Sequence, residues 1–321
     1  MIVGVLRETA ARERRVALVP EDVRRLIAAG MAVVVQCGAG RYAGFDDDCY
    51  RAAGARLVAS GAEVFAPADL VAWVKPPVFA LETMPRRPGL TLVGFQDPIH
   101  RAAQIAMLRA LGVESVAFES VSREGPPEAD ALTAMSRIAG GVAYRAGRRL
   151  IPAHARIRPI RSLVLGSGQA GRSALAAAHA CGDEPPVVVG NRAEQRDAVI
   201  ALGPCDFRVN PGGDPAPILD WIRDGKPDLI VCAATHRGAR APLLLDDAAL
   251  AALGPGAVVV DLVAKAGGNC VATVADATVI RAGGVVVTHR SNYPSRRPAA
   301  ASHAYSAATV AMILRLAGGR G

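Results

Sequence analysis

Lysine is nearly absent from this chain: of 37 basic side chains only Lys75, Lys226 and Lys265 are lysine. Where guanidinium is the default cation, an ammonium marks a place that needs a compact point charge or a nitrogen able to titrate. Lys226 falls in Asp224-Gly225-Lys226-Pro227-Asp228, a solvated turn, whereas Lys75 and Lys265 have no such explanation. Aromatic residues are scarce, at 4%, which leaves little for base stacking or a sugar platform. The net charge of +8 is carried by scattered arginines, with no basic run interleaved with aromatics, so the pattern argues against nucleic acid as a partner. The same excess suits anionic cofactors and a small carboxylate substrate. The six cysteines, Cys37, Cys49, Cys181, Cys205, Cys232 and Cys270, form no C-x-x-C and have no paired histidine spacing. They read as buried thiols in a reducing cytoplasm rather than as metal ligands or disulfides. No apolar run approaches the length of a membrane span, and Met1-Ile2-Val3-Gly4 starts directly as a strand with no signal peptide, so the expectation is a cytoplasmic protein without a membrane segment.

What is present is an alternation of short apolar strands with amphipathic helices, the pattern of an α/β fold with parallel sheets. A length of 321 residues is long for one core and comfortable for two, which predicts two domains with a cleft between them. Ile2 to Leu6 reads as a strand, Pro20 to Ala29 as a helix opened by proline and stopped by Gly30, and Ala32 to Gln36 as the next strand. Leu70 to Val74 ends at Lys75-Pro76-Pro77, and Leu90 to Phe95 ends at Gln96-Asp97-Pro98. Both ends lie on the carboxyl edge of the sheet, which in open α/β folds faces the ligand. The polar stretch Ser122-Arg123-Glu124-Gly125-Pro126-Pro127, followed by an Ala/Gly-rich run from Glu128 to Leu150, reads as a hinge and connecting helix. The last helix, Ala299 to Ala317, is rich in small residues and is expected to pack back onto another domain.

The sharpest motif is Gly166-Ser167-Gly168-Gln169-Ala170-Gly171, preceded by the strand Ser162-Leu163-Val164-Leu165 and followed by a helix expected over Arg172 to Ala180. In that context the glycines permit the tight turn, close backbone approach to a pyrophosphate, and close packing of helix on strand. The next strand, Val187-Val188-Val189, ends in Gly190-Asn191-Arg192 and not in the acid that would accept hydrogen bonds from an adenosine ribose. An arginine there pairs with a 2′-phosphate, which favours NADP(H) over NAD(H); the alternative is that Arg192 is a solvated residue at a helix start.

Several runs then resemble one family. Gly4-Val5-Leu6-Arg7-Glu8, Arg15-Val16-Ala17-Leu18-Val19-Pro20, Gly38-Ala39-Gly40, Gly44-Phe45 and Val74-Lys75-Pro76 are similar to the start of the alanine dehydrogenase and nicotinamide nucleotide transhydrogenase alpha-subunit family. Val260-Asp261-Leu262, Gly267-Gly268-Asn269-Cys270 and Tyr293-Pro294-Ser295-Arg296-Arg297-Pro298, with Ala301-Ser302 and Tyr305, look like the transhydrogenase branch. The resemblance implies two Rossmann-like domains, with the cofactor domain, residues 128–296, inserted into a discontinuous substrate-side domain of residues 1–127 plus 297–321. It also implies a homodimer or higher homo-oligomer. Arg15 and Lys75 match positions that hold a 2-oxo acid in the alanine dehydrogenases. The catalytic histidine position falls at Asp97 and the catalytic aspartate position at Lys265. The transhydrogenase loop that positions the nicotinamide aligns with Arg123, Glu128 and the neighbourhood of Asp130, of which only the arginine is kept. Ala233 and Asp261 complete the cofactor-side candidates.

A lysine with a carboxylate beside it is able to exchange a proton with a carbonyl or imine when burial tunes both groups. Lys75, Asp97 and Lys265 are therefore the candidates for the chemistry; alternatively Asp97 and Lys265 are an ion pair, or Lys265 binds a second carboxylate. His100, His236 and His289 stay unassigned, and His154, His179 and His303 read as structural. The expected activity is that of an NAD(P)H-dependent oxidoreductase acting on a small amino acid, 2-oxo acid or imine carboxylate. The alternatives are a nucleotide-binding subunit that exchanges hydride with partner subunits, and a sensor without catalysis.

Overall fold

The computed structural model describes residues 1–121, 129–235 and 239–319. The chain divides into two compact units, Met1–Met135 with Pro294–Gly321, and Ser136–Tyr293. The expected hinge, with Arg123 and Glu128, and also His236, lie outside the described residues.

The first unit contains β1 Ile2–Val5, α1 Pro20–Ala28, β2 Ala32–Gln36, α2 Asp47–Ala52, β3 Arg56–Val58, α3 Gly61–Phe65, β4 Leu70–Ala72, β5 Thr91–Gly94, α4 Ala102–Ala110 and β6 Glu114–Ala117. Helix α1 forms where the sequence signals it: proline at its first position, Glu21 and Asp22 in the first turn and Arg25 in the last, charges that complement the helix dipole. The strands are rich in valine and leucine and pair in parallel in the order β3-β2-β1-β4-β5-β6. The near-continuous burial of the four central strands is what a parallel sheet covered on both faces requires. The chain runs outward from β1 to β3, then restarts at β4 on the other side of β1, so β1 and β4 flank the topological switch point where such sheets bind ligands.

In the second unit α5 Ala131–Leu150, which contains the boundary between the units, leads to β7 Ser162–Leu165, α6 Gln169–Ala180, β8 Val187–Gly190, α7 Arg196–Ile200, β9 Asp206–Val209, α8 Pro215–Gly225, β10 Leu229–Cys232, α9 Asp247–Ala251, β11 Val258–Asp261, β12 Thr278–Ile280 and β13 Val286–Thr288. The order is β12-β13-β11-β10-β7-β8-β9, parallel apart from the edge strand β12. This is the same winding, with its switch point between β7 and β10. The α/β class with two parallel-dominated, Rossmann-like sheets is thus as expected; strand β12 is an addition that the sequence reading did not contain.

The last helix, α10 Pro298–Gly318, returns to the first unit. Small residues of this helix and of the turn before it have a specific task there. The buried segment before α1 has no strand partner, and its backbone N–H groups still need acceptors. Ser295 Oγ accepts from Arg14 N at 2.7 Å, Ser302 Oγ from Val16 N at 3.0 Å and Ser306 Oγ from Val19 N at 3.0 Å. Ser302 and Ser306 lie one helical turn apart, so one face of α10 serves the extended chain. Tyr305, on the same helix, donates its hydroxyl proton to the Trp73 carbonyl at 2.9 Å. Among the described residues no helix is long and apolar enough to cross a membrane, and no cluster of His, Cys, Asp and Glu is arranged to hold a metal ion.

Candidate functional site

The glycine turn occupies the switch point of the second sheet. Helix α6 begins at Gln169, three residues before the expected Arg172, so the second half of the motif is its first turn. Each glycine has its own reason. Gly166 has φ +112°, and a Cβ there would stand 2.6 Å from the Ala233 carbonyl, because the chain leaving β10 passes against the turn. A Cβ at Gly171 would overlap the Gly166 carbonyl oxygen, so this residue lets α6 sit on the strand end. Gly168 is different: a Cβ there would meet nothing within 4 Å. It is the N-cap of α6, and no side chain caps the helix. The first-turn N–H groups of α6 therefore face open space beside a residue with no side chain, the arrangement that accepts a pyrophosphate. The site fits a dinucleotide. Ser167 is buried and donates to Gln195 Oε1 at 2.8 Å, while Gln169 Oε1 accepts from Arg137 Nε at 3.0 Å.

The remaining cofactor-side candidates divide by role. Ala233 contributes backbone, with its N–H on the Leu165 carbonyl at 2.7 Å. Asp261 is fully buried; its Oδ1 accepts from Val263 N and its Oδ2 from Asn269 N, Cys270 N and the Thr273 hydroxyl. Its carboxylate thus holds the loop after β11, and through that loop the exposed Lys265. Asn191 is half-buried and Arg192 exposed at the end of β8. His289, at the end of β13, is buried and accepts from Asp276 N at 2.9 Å through Nδ1, which puts its ring proton on Nε2. Burial pushes its pKa below the ordinary value, keeping it neutral.

In the first unit the carboxyl ends of β1 and β4 bring four charged side chains together. Arg15 is 3% exposed and its guanidinium grips Glu13 with two hydrogen bonds, Nε to Oε1 at 2.7 Å and Nη2 to Oε2 at 2.6 Å. Lys75 Nζ stands 4.0 Å from the same Glu13 Oε2. Glu13 also accepts from Arg14 N and Arg15 N. Beside it, Glu8 accepts from Val74 N at 2.6 Å and Lys75 N at 3.0 Å, which anchors the lysine's backbone. The two carboxyls are driven apart. Burial works to raise the Glu13 pKa, but the hydrogen bonds and charge of Arg15 overcome it and hold it at about 2. Burial, helped by the negative charge of Glu13, pushes Glu8 up to about 8. Arg15 and Lys75 thus meet around one carboxylate that stays ionised at neutral pH.

Asp97 ends the neighbouring strand region with φ +51°, a left-handed conformation, and its Oδ1 lies 2.8 Å from His100 Nδ1. Glu119 fixes this bend by accepting from Gln96 N and Asp97 N. The structure thus brings Arg15 and Lys75 together around Glu13, and gives Asp97 a histidine partner. His303 packs edge-on to Phe45, and His179 lies against Gly203.

This is the setting in which the comparisons with known proteins become informative. The family described as alanine dehydrogenase/PNT matches twice, its N-terminal domain over residues 4–139 and its C-terminal domain over residues 142–321. The chain belongs to the alanine dehydrogenase/PNT family. It is 32% identical over 340 aligned residues to the NAD(P) transhydrogenase subunit alpha of Cereibacter sphaeroides, across 95% of this chain and 64% of that one. It is 31% identical over 337 residues to the alanine dehydrogenase of Bacillus subtilis, across 99% of this chain and 86% of that one. The solved transhydrogenase structure from Sinorhizobium meliloti matches with a TM-score of 0.88 at 28% identity, covering 98% of this chain and 94% of that one. The chain spans 64% of the length of the C. sphaeroides alpha subunit. Identities of 32% and 31% do not separate the family's two branches, so the choice of activity falls to the site residues.

Three side chains of the sites escaped sequence reasoning. Glu8 and Glu13 lie inside or beside the family-like runs, and the signal was available: two acids in the short stretch before Arg15, one of them two residues away. Gln195 was overlooked although its contacts with Asn191 N and Arg192 N are local, four and three residues back, the spacing of a capping glutamine at a helix start.

Proposed function

We propose that this protein is an NADP(H)-linked dehydrogenase or imine reductase acting on a small amino acid, 2-oxo acid or imine carboxylate. The observation that carries the reading is the Glu8, Glu13, Arg15 and Lys75 cluster at the switch point of the first sheet, where a buried arginine and a half-buried lysine meet around one ionised carboxylate. A protein that only bound nucleotide would have no use for a buried arginine and a half-buried lysine outside its dinucleotide unit.

The nicotinamide, when bound by the second unit, supplies or accepts hydride at the substrate carbon. The chain's own residues handle binding and the proton. Lys75 meets the carbonyl or imine and donates a proton to the oxygen or nitrogen as the carbon is reduced, and takes it back in the reverse direction. Glu13 holds both the Arg15 guanidinium and the Lys75 ammonium in place, and Arg15 pairs with the substrate carboxylate. Asp97 and His100 carry the replacement proton in from solvent during reduction and out to solvent in the reverse direction. Steady-state absorbance at the nicotinamide band, with NADPH and a panel of 2-oxo acids with and without amines, tests the proposal. Turnover with at least one member is expected; tight NADPH binding with no turnover anywhere in the panel refutes it.

The similarity to transhydrogenase alpha subunits favours one second reading, a nucleotide-binding subunit that exchanges hydride with partner subunits. Hydride exchange between nucleotides only on addition of such partners, with no substrate turned over alone, would select it.

A further inference from the structure

The end of β8 is built in a way that neither Arg192 nor the family match accounts for. In dinucleotide-binding folds this point carries an acid whose carboxylate accepts the ribose hydroxyls. Here the strand ends at Gly190, and a Cβ at that position would stand 2.6 Å from Gln195 Oε1 and 2.6 Å from the Phe207 ring. The missing side chain is thus replaced in space by the carboxamide of Gln195, five residues further on. Its Oε1 accepts from the Ser167 hydroxyl at 2.8 Å, from Asn191 N at 3.1 Å and from Arg192 N at 3.3 Å.

The last two donors settle the orientation of the amide. Backbone N–H groups only donate, so the oxygen must face them and the NH₂ must face away. Nε2 has no hydrogen-bond partner among the described residues, and Gln195 is half-buried, so its two protons remain available beside the end of β8. Arg192, exposed beside it, adds five further N–H donors. The acceptor that a ribose 2′-hydroxyl needs is already consumed: Gln195 Oε1 is occupied by three donors. A 2′-phosphate has the opposite requirement, since it brings only acceptor oxygens and negative charge.

We propose that Gln195 is the residue that determines cofactor choice: it fills the place of the ribose-binding acid with a fixed hydrogen-bond donor, and with Arg192 forms a subsite for a ribose 2′-phosphate. The inference rests on the dinucleotide reading of the glycine turn and deepens it. Ser167 belongs to that turn, so its hydrogen bond to Gln195 Oε1 also ties the 2′-phosphate subsite to the pyrophosphate site.

The test uses binding alone, so it does not depend on finding a substrate. The full chain is titrated calorimetrically with adenosine 2′,5′-bisphosphate and with adenosine 5′-phosphate. The bisphosphate is expected to bind at least about tenfold more tightly, the scale of one added charge-assisted contact. In Gln195→Glu one carboxylate oxygen still receives the three donors, while the other turns an acceptor and a negative charge towards the ribose. The preference is expected to reverse, with bisphosphate binding weakened by about tenfold or more and monophosphate binding kept. Gln195→Ala provides a second variant that introduces no charge, and is expected to reduce the preference to what Arg192 alone sustains. A wild-type preference for the monophosphate, or a ratio unchanged in both variants, overturns the inference and leaves the dinucleotide reading standing. No binding of either nucleotide by the wild type overturns both.

Discussion

Replacing Glu8 by glutamine is expected to make the first unit more stable in alkaline solution and to flatten its dependence on pH. In the folded protein the carboxyl keeps its proton up to about pH 8, against an ordinary value of 4.5. Between those values the folded chain holds a proton that the unfolded chain releases, so stability falls as pH rises. The gap corresponds to at most about 5 kcal/mol, at roughly 1.4 kcal/mol per pH unit. Glu8 is only half-buried as a residue, and the solvent it retains reduces the expected effect to about 2 kcal/mol. The glutamine side chain would carry no charge to bury, but its single acceptor oxygen serves only one of the N–H groups of Val74 and Lys75, a loss of about 1 kcal/mol at any pH. Glu8→Gln should therefore be slightly less stable than wild type near pH 5 and more stable near pH 9. Urea unfolding at pH 5, 7 and 9 measures this, with Trp221→Phe in both proteins so that buried Trp73 reports the first unit. Glu13 does not interfere in that range: its pKa is lowered to about 2, so its stabilisation is complete above about pH 4.5 and is lost only as pH falls towards 2. Equal pH slopes for wild type and Glu8→Gln would refute the assignment of a raised pKa to Glu8.

Glu13→Ala should cost about 3 to 5 kcal/mol, because it leaves the Arg15 guanidinium buried without its partner; a fall in urea stability below about 1 kcal/mol would show that the pair is not enclosed as described. Two glycines of the turn should behave differently. Gly171→Ala forces α6 away from the Gly166 carbonyl, so it should lower stability by about 1 to 3 kcal/mol and weaken NADPH binding together. Gly168→Ala meets no neighbour within 4 Å and should leave the melting temperature unchanged while obstructing the pyrophosphate. Thermal melts and NADPH titrations of the two variants check the pair, and a stability loss in Gly168→Ala with none in Gly171→Ala would overturn the assigned roles.

The alternation of apolar runs and helices was legible because it reports burial, and burial in a parallel sheet has a simple local signature. The glycine motif was legible for a related reason: a turn that must pass close to other backbone excludes every side chain, and that exclusion appears in the letters. Lys75 stood out against the scarcity of lysine and by its place at a strand's carboxyl end. Boundaries were less legible. Helix α6 starts at Gln169 because an uncapped first turn is stabilised by its packing, which no residue type announces. Edge strand β12 was missed because its residues Thr278–Ile280 are short and partly exposed, without a strong alternation.

By itself, then, the sequence determined the layered α/β class and the position of a dinucleotide turn, both of which follow from local spacing of apolar and small residues, while two Rossmann-like sheets were implied by the family resemblance. The tertiary structure decided the electrostatics. Glu8 and Glu13 are ordinary acids in the letters, and they acquire opposite protonation at neutral pH only because folding encloses both and gives Arg15 to one of them. Gln195 acts at the end of β8 only because Gly190 leaves room and two backbone N–H groups turn its amide. Desolvation and the direction of a hydrogen bond depend on what surrounds a group in space, and that is information the order of residues carries only once the chain has folded.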